Sequence, residues 1–320
     1  MEKVKQRLKV GEVKVHKNLA VAPLLGKDSG LDYLVFDEAV NQGLSVRETG
    51  EVPTLHFKNE TDKEVLILQG EYVTGGKQNR MVATNVYMAK GFDGPVPVNC
   101  VEQSRWSGNE RGGFTSGNRR APASVSLMAS VGQGEVWGEV RRMTESLGTH
   151  TSTGDMGASY AQRESDLAEY LSNFEFQEGA VGVIAAMQRG KHRVYVADVF
   201  DQTATLQKNY KKLLESYAIE ALSYKAIGSQ AKSDMQAFLK VAGDTPYHKR
   251  QPVSLGDDLK TAAGAVTGFA LVYQETPLYV NLASNFMPQT QGPGADNFDP
   301  AQTMIFERPV RTGMSRRFFR

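Results

Sequence analysis

One cysteine, Cys100, stands in a chain of 320 residues. A single cysteine excludes an intrachain disulfide and any metal site built on several thiolates, and it suits a reducing compartment. An excess of one charge is also missing: 37 Lys and Arg face 36 Asp and Glu, for a net charge of +1. No global field therefore draws the chain to nucleic acid or to a membrane, and electrostatic recognition must be local. Apolar runs fall far short of the roughly 20 residues a membrane span needs. The N-terminus, Met1-Glu-Lys-Val-Lys-Gln-Arg-Leu-Lys9, lacks the apolar centre of a secretory signal. A cytoplasmic protein with no membrane segment is expected. The histidines (His16, His56, His150, His192 and His248) show no HxH, HxxxH or HExxH spacing, so no metal site is expected. No motif names a cofactor, and the oligomeric state stays open.

What is present suits a folded core. Hydrophobic residues at 40% and charged residues at 23% match a soluble globular chain, at a length of one large or two ordinary domains. Alternating apolar positions over 8–25 predict one or two strands, and Leu31, Leu34, Val35 and Ala39 predict a short helix over 31–42. Residues 44–106 read as β, through Leu44–Glu48, Val52–Lys58, the apolar run Val65–Leu68, Met81–Ala89 and Val96–Val101. Short strands with regular turns predict an antiparallel sandwich or partial barrel. Residues 107–125 are rich in Gly, Ser, Asn and Arg and predict a long loop. Helices are predicted over 136–147, 156–173, 203–224 and 229–241. Hairpins are predicted around Gln188-Arg-Gly-Lys191 and around Thr276-Pro277. The class is α+β: an N-terminal antiparallel sandwich-like half, residues 1–125, then mixed helices and β-hairpins over 126–320. The halves read equally as one integrated domain, because neither has a linker on both sides.

Two polar segments follow strand-like runs: QGEYVTGGKQNR at 69–80 and CVEQSRW at 100–106. Together they supply Glu71 and Glu102, the cations Lys77, Arg80 and Arg105, the pair Gly75-Gly76, the amides Gln78 and Gln103, and the indole of Trp106. These residue types suit an anionic, partly aromatic small molecule. Gly75-Gly76-Lys77 is not a P-loop, since Gln78 follows the lysine, but a glycine pair before a cation can present N–H groups to an oxyanion. The commoner alternative is a turn with solvated cations. Paired carboxylates suit acid–base work at a glycosidic carbon. The alternative is one ion pair each, Glu102 with Arg80 or Glu71 with Arg105. Trp106 reads as a base-stacking ring or as a core residue. Cys100 reads as a small buried hydrophobe, Asp198 as a turn cap and Tyr217 as packing. The Arg/Gly stretch 107–120 reads as a flap or as a weak single-strand binder, so nucleic acid is an unlikely partner.

The segments LQGEYVTGGKQNR, VPVNCVEQSRW, VADVF and LLESYAIEAL resemble the ARG and rhodanese-phosphatase-superfamily-associated protein family over roughly 10–285. The first two carry the resemblance. It implies an α+β protein of ADP-ribose or NAD-derived metabolism, linked to ADP-ribosylglycohydrolases by association, and it brings no residue-by-residue mechanism. The leading expectation is a protein that binds an ADP-ribose-like or nucleotide ligand and, in its enzymatic form, hydrolyses or transfers it. Glu71 and Glu102 would then be the catalytic carboxylates. Gly75, Gly76, Lys77, Gln78, Arg80, Arg105 and Trp106 would bind the ligand. The alternative is a non-catalytic binding or scaffold module for a partner enzyme.

Overall fold

A computed structural model describes residues 8–106, 113–230, 232–263 and 266–284. These belong to one compact unit that ends at Phe286. The chain opens with β1 (Lys9–Val10), β2 (Lys14–His16) and β3 (Leu19–Leu25). The expected helix over 31–42 shrinks to one turn, α1 (Phe36–Ala39), because Leu34–Val35 is drawn into strand β4. Strands β5 (Leu44–Glu48), β6 (Thr54–Asn59), β7 (Val65–Ile67), β8 (Glu71–Thr74), β9 (Arg80–Val82), β10 (Val86–Met88), β11 (Asp93–Cys100) and β12 (Thr115–Arg120) follow. Helices α2 (Ala123–Met128), α3 (Gln133–Leu147), α4 (Met156–Gln162) and α5 (Glu164–Asn173) come next. The hairpin β13 (Ala180–Arg189) and β14 (His192–Phe200) leads into α6 (Thr203–Leu222) and α7 (Lys232–Asp244). Strands β15 (His248–Arg250), β16 (Asp257–Ala263), β17 (Val266–Tyr273) and β18 (Thr276–Ser284) close the unit. The fold is α+β, as the sequence implies. No described helix is long and apolar enough to cross a membrane.

Among the described residues the strands form three sheets. The largest runs β1-β3-β13-β14-β18-β17-β16-β15, with β2 also on β3. Its central strand β13 is buried on both faces, so alternate residues feed different cores. Val183, Ala185 and Met187 join the core that holds α6, while Ile184 and Ala186 join the core that holds Met235 of α7. The second sheet, β12-β8-β9-β11-β6-β5, carries the two motif segments. One of its faces contributes Tyr72 and Met81 to the α6 core. The other contributes Val73, Val82, Val96 and Val98 to a third core around Phe36, Leu55 and Phe57. The third sheet is β10-β7-β4.

Several boundaries differ from the sequence reading, each for a local reason. The run Met81–Ala89 divides into β9 and β10, which pair in different sheets. Part of the expected loop is β12, an edge strand paired only with β8 and too exposed to show an apolar period; residues 107–112 lie outside the described residues. The helix over 156–173 breaks at Arg163, whose ψ of 18° ends α4. The last hairpin turns at Gln274-Glu275, both with positive φ, rather than at Thr276-Pro277.

Candidate functional site

Residues 75–79 join β8 to β9. Gly75 (φ +124°) and Gly76 (φ +49°) adopt backbone that favours glycine. A Cβ on Gly75 would lie 2.5 Å from the Gly113 carbonyl oxygen, and one on Gly76 would lie 2.2 Å from the Phe114 ring. Three N–H groups of this turn are already engaged. Gly75 donates to Asn79 Oδ1 at 3.2 Å, Lys77 to Glu48 Oε1 at 2.8 Å and Asn79 to Glu102 Oε2 at 3.1 Å. The carbonyls of Gly76 and Gly75 accept from Arg105 Nη1 at 2.8 Å and Nη2 at 3.2 Å. Arg105 Nε donates to Glu102 Oε2 at 2.7 Å, and Gln78 Nε2 donates to the Glu102 carbonyl at 3.1 Å. Glu102 therefore pairs with Arg105 rather than with Arg80, and the two clamp the turn. Gly75→Ala is expected to lower stability by about 1–3 kcal/mol, because both the backbone conformation and the wall at Gly113 resist a side chain. Urea unfolding measures it; an unchanged midpoint would show that the turn does not hold this conformation.

Glu71 belongs to a different cluster. Its Oε2 accepts the Leu68 N–H at 2.8 Å, and its Oε1 accepts from Lys212 of α6. Lys212 Nζ also donates to Asp37 of α1 at 2.7 Å. Lys212 and Glu71 are both buried. Burial alone would lower the lysine pKa, but Glu71 and Asp37 outweigh it and hold the ammonium charged. Glu71 thus pairs with Lys212 and not with Arg105. The two candidate carboxylates sit in separate hydrogen-bonded clusters with no partner in common.

Arg80 is the anomaly. It stands opposite Cys100 in the β9–β11 ladder, so the two side chains share one face of the sheet. Its neighbour on β8 is Val73. The residue is 0% exposed. Among the described residues its Nε, Nη1 and Nη2 have no hydrogen-bond partner. Burial pushes its pKa down, against the opposing pull of Cys100 and Glu48. A buried guanidinium without hydrogen bonds is costly and needs an explanation. The Trp106 ring lies 5.5 Å from its Cζ and 5.4 Å from Lys77 Nζ. Trp106 is itself 44% exposed, so the ring connects this interior charge to the surface. Glu48 and Glu102 lie beside Lys77, Arg80 and Arg105, and Asp155 joins the same turn through Asn79 Nδ2, which donates to its Oδ1 at 3.2 Å. The structure therefore brings together Gly75, Gly76, Lys77, Gln78, Arg80, Glu102, Arg105 and Trp106, and leaves Glu71 apart.

A second polar cluster was missed from sequence. Asp198 is buried and accepts from Arg120 Nη1 at 2.7 Å, Asn281 Nδ2 at 2.9 Å, and the Tyr217 and Tyr279 hydroxyls. Asp198 is thus a hub and not a turn cap, and Tyr217 donates as well as packs. Glu220 accepts from the Ser124 hydroxyl at 2.6 Å and from Tyr224. The signal was present in α6, where Lys212, Ser216 and Glu220 recur every four residues on a helix otherwise apolar enough to be buried. All these groups are matched by partners, so the cluster reads as the joint between α6 and its neighbours.

Two cavities of about 330 Å³ lie elsewhere. One separates α7 from the large sheet, with Leu239, Ala242 and Tyr247 in its wall; the other lies beside Phe174, Phe176 and Tyr210. Neither is lined by a residue of the Arg80 cluster.

Residues 7–283 match the family model described as the ARG and Rhodanese-Phosphatase-superfamily-associated Protein domain. No curated protein and no solved structure matches the chain.

Proposed function

Starting from the fact that the chain belongs to the ARG and Rhodanese-Phosphatase-superfamily-associated Protein domain family, we propose that it binds a small anionic ligand of the ADP-ribose or NAD-derived class at the β8–β9 turn. One observation carries this reading: the buried Arg80 guanidinium has no hydrogen-bond partner among the described residues. An anion entering beside it would supply the missing acceptors, and guanidinium is well matched to phosphate. The family name adds a chemical context, since ARG denotes ADP-ribosylglycohydrolase. In this reading Arg80 and Lys77 take the phosphates and Trp106 stacks on a base. Gly75, Gly76, Gln78, Glu102 and Arg105 form the frame that holds them.

The carboxylates favour binding over hydrolysis. Glu71 is spent on Lys212 and Glu102 on Arg105, so neither stands free as a general acid or base. This observation supports the second reading, a non-catalytic module that presents its ligand to a partner enzyme. Isothermal titration with ADP-ribose and with NAD tests the binding. Saturable heat with at least one of them is expected, and no heat with either in a folded sample contradicts the proposal. If Glu102→Gln binds but loses a measured turnover, the protein is an enzyme; retention of both binding and turnover removes Glu102 from catalysis.

A further inference from the structure

Away from the β8–β9 turn, the cavity of about 330 Å³ between α7 and the large sheet has a chemistry of its own. Its sheet wall is Val10 of β1, Val199 of β14, and Val280 and Leu282 of β18, all buried. Val199 and Val280 are cross-strand partners, so the wall is continuous there. Native cores leave few voids larger than a water, because atoms lining a void lose dispersion contacts. A cleft of this volume with an apolar wall has the size and lining of a small-molecule pocket. Helix α7 turns one face to it, since Gln236, Leu239, Lys240 and Gly243 follow at i, i+3, i+4 and i+7. Gly243 is exposed, and a Cβ there would meet nothing within 4 Å. Glycine weakens a helix, and no neighbour requires it at this position. Its missing side chain leaves the rim of the cavity unobstructed.

The polar groups of this wall are few. Among the described residues that line it, only Lys240 is charged. Lys240 is exposed at the rim and forms no ion pair with a described carboxylate. Tyr247 is 3% exposed, and burial alone pushes its hydroxyl pKa up to about 12, with no described residue hydrogen-bonded to it. An apolar chain would restore the dispersion contacts that the wall lacks, and one cation matches one negative charge at the chain's end. At about 30 Å³ per water-sized group, 330 Å³ seats about eleven non-hydrogen atoms. We infer that this cavity binds a medium-chain aliphatic monocarboxylate, with the carboxylate on Lys240 and the chain between α7 and β18. The other cavity has the wrong sign for such a ligand, because Glu12, Glu175 and Glu178 line it against Lys14.

Octanoate is of this size and serves as the probe. Calorimetric titration of the parent is expected to give saturable binding, tighter than that of octan-1-ol, which has the chain without the charge. Lys240→Met is expected to weaken octanoate about fivefold, the scale of an ion pair at a surface, and to leave octan-1-ol unchanged. Gly243→Leu, whose side chain enters open space, is expected to weaken both ligands without loss of thermal stability. Three outcomes overturn the inference: no saturable octanoate binding to the folded parent, equal affinity of the parent for octanoate and octan-1-ol, or an octanoate affinity unchanged in either variant. ADP-ribose titrated into the same samples reports separately on the β8–β9 turn, and neither substitution is expected to change its affinity.

Discussion

Lys212→Ala is expected to lower the free energy of unfolding by about 3–5 kcal/mol, the cost of leaving a buried charge without its counterion. The lysine lies within α6 with both Glu71 and Asp37 on its ammonium. Its removal leaves Glu71 buried beside Asp37, two like charges with no cation between them. The sign with pH follows from the raised lysine pKa. The contribution is complete below the unfolded-state value and is lost only as pH rises through the folded one, so it is intact at neutral pH. Lys208, one turn earlier on α6, makes an exposed ion pair with Glu38 at 2.9 Å. Lys208→Ala serves as the control and is expected to cost about 0–1 kcal/mol. Urea denaturation of the two variants gives the comparison. Equal small losses would mean that the Glu71–Lys212 pair is not formed in the folded protein, and would free Glu71 for a catalytic role.

Arg80→Met is expected to act in the opposite direction. Without ligand, the variant should be more stable than the parent by about 1–4 kcal/mol, as when buried ionic groups give way to apolar ones of similar volume. Methionine fits the setting because Val73 and Cys100 flank the position on the same face of the sheet. A buried charge that lowers stability serves something other than the fold, and in the proposed function that service is the ligand. Thermal unfolding without ligand measures the effect. A loss of several kcal/mol would show that Arg80 has a structural partner, and the ligand reading would fall with it.

How far the sequence could be read varies from element to element. Strongly periodic segments were legible: α6 and the β13–β14 hairpin lie close to their expected bounds, since long apolar patterns leave little choice of face. Short strands were not. Strand β12 has its backbone paired on one side only, so its Gly, Asn and Arg residues carry no alternation to read. The two-segment cluster was visible as a collection of residue types, and the structure joins its parts through Arg105, which bridges 75–79 to Glu102. Glu102 pairs locally with Arg105, three residues on, whereas the cation that meets Glu71 comes from far away in sequence. That cation, Lys212, lies 141 positions from Glu71. Arg80 was legible as a cation but not as a buried one, because its burial comes from the pairing of β9 with β11 and from the tryptophan beside it.

The central claim is that Arg80 is an anion-binding group held unpaired until a ligand arrives. Calorimetric titration of the parent and of Arg80→Met with ADP-ribose, side by side, tests it most directly. Saturable binding to the parent and none to the folded variant is the predicted result. Equal affinity for both proteins would contradict the account.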